Sequence, residues 1–252
     1  LGSTGTIEVL GANSSLALNF TLYGTGSLTK SGTGELVLSG DNITYSGSTF
    51  LNSGTLTFNS GSAIGTGSLV INAGALNALV GGTALTTNGQ QFWNSDFTFL
   101  GTGPLNLGSG SVRLNADRTL NVVSSTLTVG GSISGAAALT KSGTGLLVLA
   151  GNNVYTGATI INGGTLQIGV GATSGSLASS SAITINAGSF LAFNRSDDYG
   201  GAYNIPINGA GSLLISKGTL TFGGSMLLNA GNYAGDIINQ AALVFASSGS
   251  QT

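Results

Sequence analysis

The chain has 252 residues, 41% of them hydrophobic and only 6% charged, with six Lys+Arg against eight Asp+Glu and a net charge of −2. That much apolar side chain supports a continuous core rather than disorder, and so few cations provide no basic stripe for nucleic-acid phosphates or an anionic membrane surface. Cysteine and histidine are absent, so neither a disulfide framework nor a thiolate metal site can hold the fold, which must rest on packing and backbone hydrogen bonds.

The 44 glycines do not recur at every third residue as in collagen, and only two prolines, Pro104 and Pro206, are present. The glycines therefore punctuate turns between short elements. Apolar runs are broken by Gly, Ser or Asn well before membrane-spanning length, so no transmembrane helix is expected. The chain opens Leu1-Gly2-Ser3 without a basic and then apolar leader, and reads as a mature or excised segment.

From the N-terminus, Ile7-Glu8-Val9 and Leu16-Ala17-Leu18-Asn19-Phe20-Thr21-Leu22 alternate apolar and polar residues, and the same period of two continues in Leu36-Val37-Leu38, Leu56-Thr57-Phe58, Leu127-Thr128-Val129, Ile183-Thr184-Ile185 and Leu220-Thr221-Phe222. Each is a strand with one apolar face. No window sustains a helical period, and the Ala-rich stretch 135–140 is too short for a helix. The heptapeptide LTKSGTG occurs at 28–34 and again at 139–145, 111 residues later, and both copies continue in parallel through GTLTF and GTLQI. A third, decayed copy spans 209–224 and 232–245 and keeps Asn-Tyr-x-Gly.

Inside these cassettes a shorter unit recurs, an aliphatic residue followed by Asn52, Asn72, Asn162, Asn186 or Asn239, then Gly54, Gly74, Gly164 or Gly188 two residues on, then Leu or Phe. Asn and Gly tolerate left-handed backbone, so the unit reads as strand, sharp corner, strand. Leu36, Leu56 and Leu76 lie 20 residues apart, which is one coil of a solenoid. Such a repeat predicts an all-β chain, a right-handed parallel β-helix of about 12 coils and roughly 55 to 60 Å in length, the hand following the general rule for parallel crossovers. A sandwich or propeller is the alternative, but one corner per strand at coil spacing favours the solenoid. The expected organisation is a single solenoid segment over 1–252, with cassettes at about 26–80, 137–190 and 209–245, belonging to a longer solenoid.

The pattern G-x-LTK-x-G-x-G-x-L-x-L-x-G-x-N-x-YTG-x-T-x-I-N-x-GTL resembles the passenger-associated transport repeat, also called the autotransporter-associated β-strand repeat. Residues 141–166 match it almost completely, and 30–56 match with one extra residue before Tyr45 and Ser46 in place of Thr. DRTLNV at 117–122 resembles the strand that often precedes such a cassette. The resemblance implies secretion across the outer membrane of a Gram-negative-type bacterium, an extracellular or cell-surface location, and a stalk-forming, secretion-assisting role without catalytic residues.

β-Helices also carry polysaccharide lyases and hydrolases, whose chemistry needs clustered carboxylates and a basic residue. The one dense cluster, Arg195-Ser196-Asp197-Asp198, reads as a solvated loop between strands, and no enzyme activity, metal or cofactor is expected. Lys30 and Lys141, at equivalent cassette positions, read as solvated turn residues. Tyr45, Tyr155 and Tyr233 recur as edge cover for the core or as sugar-stacking rings. Trp93, the single Trp, lies in Gln90-Gln91-Phe92-Trp93-Asn94 and reads either as a candidate ligand contact, with Tyr45 and Tyr155, or as a ring partly inserted in the core. Three readings follow: a surface stalk, fibre or matrix component, an adhesin for glycans or host protein on a lateral face, and a polysaccharide-active enzyme. The expected partners are further solenoid coils or identical protomers stacked at the ends, because neither end shows a charged, Pro-containing or helical block.

Overall fold

The computed structural model describes residues 2–177, 182–199, 205–223 and 233–246. Among them lie 26 strands and no helix, and the strands pair in parallel in three sheets of seven, ten and nine strands. Three successive strands show how the chain winds. Val112–Leu114 lies in the first sheet, Arg118–Val122 in the second and Thr126–Val129 in the third, and Ile133–Ser134 then returns beside Val112–Leu114. One circuit of three faces is one coil, and the molecule is a parallel β-solenoid.

Alternation explains why these short segments fold this way. In each strand the even or odd set of side chains points into the prism and stacks on its counterpart in the next coil. Leu127, Leu147, Leu166, Leu191 and Leu213 form one such column through direct pairing, and none is more than 1% exposed. Each buried side chain of this size contributes about 1.5–3 kcal/mol, so the column acts as a continuous apolar spine.

The ten strands of the second sheet set about ten turns, fewer than the 12 expected from sequence. Successive coils differ by 19 residues between Leu147 and Leu166 but by 25 between Thr165 and Phe190. Extra residues enter at corners, where the long strands Thr165–Ala172, Phe190–Asp198 and Ser212–Gly223 bend with shifts of register. At one strand spacing per coil, the rod is about 45 Å long.

The repeated cassette does not return to the same face. Its first copy begins with Leu28–Ser31 in the first sheet and Glu35–Leu38 in the second; its second begins with Leu139–Ser142 in the second sheet and Leu146–Leu149 in the third. Lys30 lies in the column of Leu51, Ile71, Trp93 and Leu114, whereas Lys141 lies in that of Leu120 and Ile161. The segment read as a third copy starts in Ser212–Gly223, in the third sheet. Each copy is thus advanced by one face around the prism. The three faces demand the same strand, corner and strand, so a cassette can begin on any of them.

Truncating the spine should be costly and local. Leu147→Ala is expected to lower the unfolding free energy by about 2–5 kcal/mol, while Thr128→Ala, outward on the same sheet, should change it by under about 0.5 kcal/mol. Denaturant melts of the two variants check this.

Candidate functional site

The polar side chains of the rod gather at its corners. After each first-sheet strand of coils three to six stands an exposed asparagine, and these carboxamides join into a ladder. Asn72 Nδ2 donates to Asn52 Oδ1 at 2.8 Å, Asn94 to Asn72 at 2.9 Å and Asn115 to Asn94 at 2.6 Å. Asn186 donates to Asn162 at 2.5 Å on another corner, and Asn239 Oδ1 accepts from the Ala241 N–H at 3.2 Å. Left-handed backbone falls to the glycines, with φ of +71° at Gly54, +96° at Gly74, +59° at Gly164 and +76° at Gly188. The asparagines do not share it, because Ser125 is the one non-glycine residue with positive φ among the described residues. Asn and Gly therefore divide the corner: one links coils, the other turns the chain. Asn94 and Asn115 belong to the ladder but lack the downstream glycine, which is why the sequence pattern passes over them.

Lys30 and Lys141 are not solvated turn residues. Both are buried, at 0% and 1% exposure, because counting by two from Leu28 or Leu139 puts them inside the prism. At each, the ammonium's three donors meet three carbonyls. Lys30 Nζ donates to Ser31, Gly32 and Ser53 at 2.7, 2.8 and 3.1 Å; Lys141 Nζ donates to Ser142, Gly143 and Gly163 at 3.1, 2.9 and 2.9 Å. Two acceptors lie in the lysine's own coil and one in the next, so the side chain ties two corners together. Gly54 is required there: a Cβ on it would stand 2.4 Å from the Gly32 and Gly34 carbonyl oxygens and 2.6 Å from Lys30 Nζ. Burial lowers both amines, Lys141 to about 8.

The other cations behave alike. Arg118 donates to the Trp93, Asn94 and Asp117 carbonyls at 2.8, 2.6 and 2.7 Å, and Lys217 to Gly171 at 3.0 Å. Arg113 Nε meets the end of the ladder at Asn115 Oδ1, 3.2 Å away. Arg195 reaches the Gly175 carbonyl at 2.5 Å and that of Thr173, holds the Asp197 carboxylate at 3.0 and 2.9 Å, and sits 4.8 Å from the centre of the Tyr199 ring. The cluster lies in the strand Phe190–Asp198 rather than in a loop. Asp198 accepts from Thr221 Oγ1 of the next coil at 3.0 Å, whereas the Asp197 carboxylate, which the Arg195 hydrogen bond holds below the usual range, pairs with Arg195 within its own strand. Asp96 and Asp117 likewise accept the Thr119 and Ala138 N–H groups, each at 2.8 Å, and Glu35 accepts from Ser15 and Thr57 at 2.9 and 2.5 Å. All six cations of the chain donate within the rod, five of them to backbone carbonyls.

The aromatic candidates need correction as well. Trp93, Tyr45 and Tyr155 are 0%, 0% and 1% exposed, so none offers a ring to a ligand. Trp93 packs edge-on against Phe97 inside the prism, centroids 5.0 Å apart. Tyr45 donates to the Ser48 carbonyl at 3.0 Å, Tyr155 shares a hydrogen bond with Thr159 Oγ1 at 2.6 Å, and Tyr233 donates to Asp236 at 3.1 Å. Each hydroxyl thereby satisfies the approach to the following strand, and burial raises all three phenols.

These groups give stability a defined pH dependence. Between about pH 8 and 10.5 the unfolded chain keeps the Lys141 proton that the native state has released, so unfolding takes up a proton and stability rises with pH. Above about pH 10 the unfolded tyrosines ionise while the buried ones do not, and stability falls. Thermal melts from pH 7 to 11 should show a maximum between these limits, and Lys141→Met should weaken the rising part, leaving the share that comes from Lys30. The same variant leaves three carbonyls without their donor, and at pH 7 it should destabilise by about 1–3 kcal/mol.

Comparison with known proteins agrees with this architecture. Residues 28–58 and 139–168 match the family model described as Passenger-associated-transport-repeat. A curated relative, "Adhesin BmaC autotransporter" of Brucella suis biovar 1 (strain 1330), is 46% identical over 85 residues, 33% of this chain and 2% of the relative. No solved structure matches. The matched segments coincide with the two lysine-stapled cassettes, and the chain is a β-solenoid that carries two copies of the passenger-associated transport repeat and is similar over a third of its length to an autotransporter adhesin.

Proposed function

We propose that the chain is a non-catalytic structural segment of a bacterial autotransporter-like protein, placed at the cell surface or outside the cell, where it serves as a stalk or fibre element. The observation that carries this reading is the use of charge: the cations cap corner carbonyls and the ladder, and carboxylates accept from backbone and hydroxyl groups of adjacent coils. Charge so placed joins coil to coil, which is what a load-bearing rod needs. The advance of the cassette by one face per copy supports the same reading, since a cassette-borne lateral contact would point in a different direction at each copy.

The proposal includes contact of the first coil with a further coil, of the same polypeptide or of another copy. Leu16 is 42% exposed, while its column partners Leu36, Leu56 and Leu76 are 0% exposed, and the strands Gly5–Glu8 and Ser15–Leu18 each pair on one side only. Electron microscopy of the purified chain at rising concentration is expected to show end-to-end assembly, abolished by Leu16→Lys. Isolated rods of about 45 Å at every concentration would reject stacking between copies. Labelling of intact cells of the source bacterium with an antibody to the chain is expected to decorate the surface; labelling only after lysis would reject the location.

A second reading, adhesion through a lateral face, draws on the name of the Brucella relative. It is compatible with the first, because a stalk can carry a binding face.

A further inference from the structure

We infer that the outer face of the first sheet is a binding platform for a neutral, linear β-linked oligosaccharide. The inference gives a face and a ligand class to the adhesive reading and does not depend on end-to-end stacking.

Three outward side chains align along the rod axis: Phe50, Val70 and Phe92, paired coil to coil. Val70 is only 8% exposed although it points outward, because it lies between the two half-buried rings. The row ends in Thr29 on one side and Arg113 on the other. Two residues further along each strand stand Asn52, Asn72 and Asn94 of the exposed ladder. A carboxamide has two N–H donors, and the ladder takes one from Asn72 and one from Asn94, so each of these exposed rungs keeps a second donor beside the apolar row. The pattern of apolar surface flanked by regularly spaced amides fits a pyranose chain, whose ring faces are apolar and whose edges carry hydroxyls.

Geometry and charge narrow the occupant. Coils rise by about 4.8 Å, a step comparable to one pyranose unit of an extended β-linked chain, so Phe50 and Phe92 address rings two units apart. Arg113 is the one charged side chain of this row and it already meets Asn115, which argues against an acidic glycan. A second copy of the chain fits less well: two half-buried rings and a valine present at most a few hundred Å², against about 1,200–2,000 Å² in a stable protein interface.

The test is isothermal titration of the purified chain with cellohexaose and chitohexaose, together with pull-down on cellulose and chitin. At least one of these neutral probes should bind. The Phe50→Thr, Phe92→Thr double variant should weaken that binding tenfold or more, with the melting temperature close to that of the parent because both side chains point outward and Thr is a good strand residue. Phe190→Thr, changing a 36% exposed ring on the third sheet, should leave binding unchanged. If the double variant does not fold, Phe92→Thr alone supplies the comparison. Failure of all four probes to bind the parent chain overturns the proposal. So does undiminished binding by the double variant, which would leave adhesion standing at another face. Sedimentation showing a concentration-dependent dimer that the double variant loses would assign the face to a second copy instead.

Discussion

In a parallel solenoid every coil hands its backbone N–H and C=O groups to its neighbours, and this exchange works only where the chain is extended. At the corners it lapses. Carbonyls there turn away from the ladder, and an unsatisfied one buried against the prism costs on the order of 1–3 kcal/mol. Nearly all the chemistry in this chain's polar side chains answers that one problem. Lys30 and Lys141 reach from inside the prism to three carbonyls each, Arg118 and Arg195 reach others, and the asparagine ladder ties the outside of a corner. Acidic groups do the converse, accepting corner N–H groups of the adjacent coil.

This use of charge resolves an oddity of composition. A chain with 6% charged residues would ordinarily carry them on its surface for solubility, yet two of the six cations are fully buried without a carboxylate partner. A buried ammonium is tolerable when all three donors are matched and the acceptors are strong backbone dipoles. The fold supplies such a cage wherever a strand ends in Ser-Gly and the next coil turns at the same level. The cage also explains why the cassette repeats with its lysine rather than with an aliphatic residue at that position of the column.

Because each face of the prism asks for the same strand, corner and strand, the cassette is indifferent to where it begins, and insertion of a length that is not a whole number of coils rotates it. Columns in the core then mix residues from different parts of the repeat: Lys30 stacks with Leu51, Ile71 and Trp93, and Lys141 with Leu120 and Ile161. Outward rows are mixed in the same way. The Phe50, Val70, Phe92 row draws on one residue of the matched repeat 28–58 and two from the stretch that follows it, and so belongs to the assembled surface rather than to the repeat.

The sequence by itself determined the class of fold. Period-two alternation, glycine-marked corners and a 20-residue spacing permit little besides a stacked parallel coil, since only that arrangement gives every apolar column a continuous partner. It also located Asn52 and Asn72 of the ladder and the turning glycines, although it gave both residue types the same left-handed part and passed over Asn94 and Asn115. The destination of the remaining polar and aromatic side chains was decided by tertiary structure. The inward course of Lys30 was readable from Leu28 by alternation, but three carbonyl partners exist only once the next coil is in place. Trp93 looked like a surface ring in a polar stretch, and the neighbouring Phe92 is the one that faces out. Alternation within a strand is a local property, whereas which of its two sides meets the core is fixed only by the coil on which it stacks.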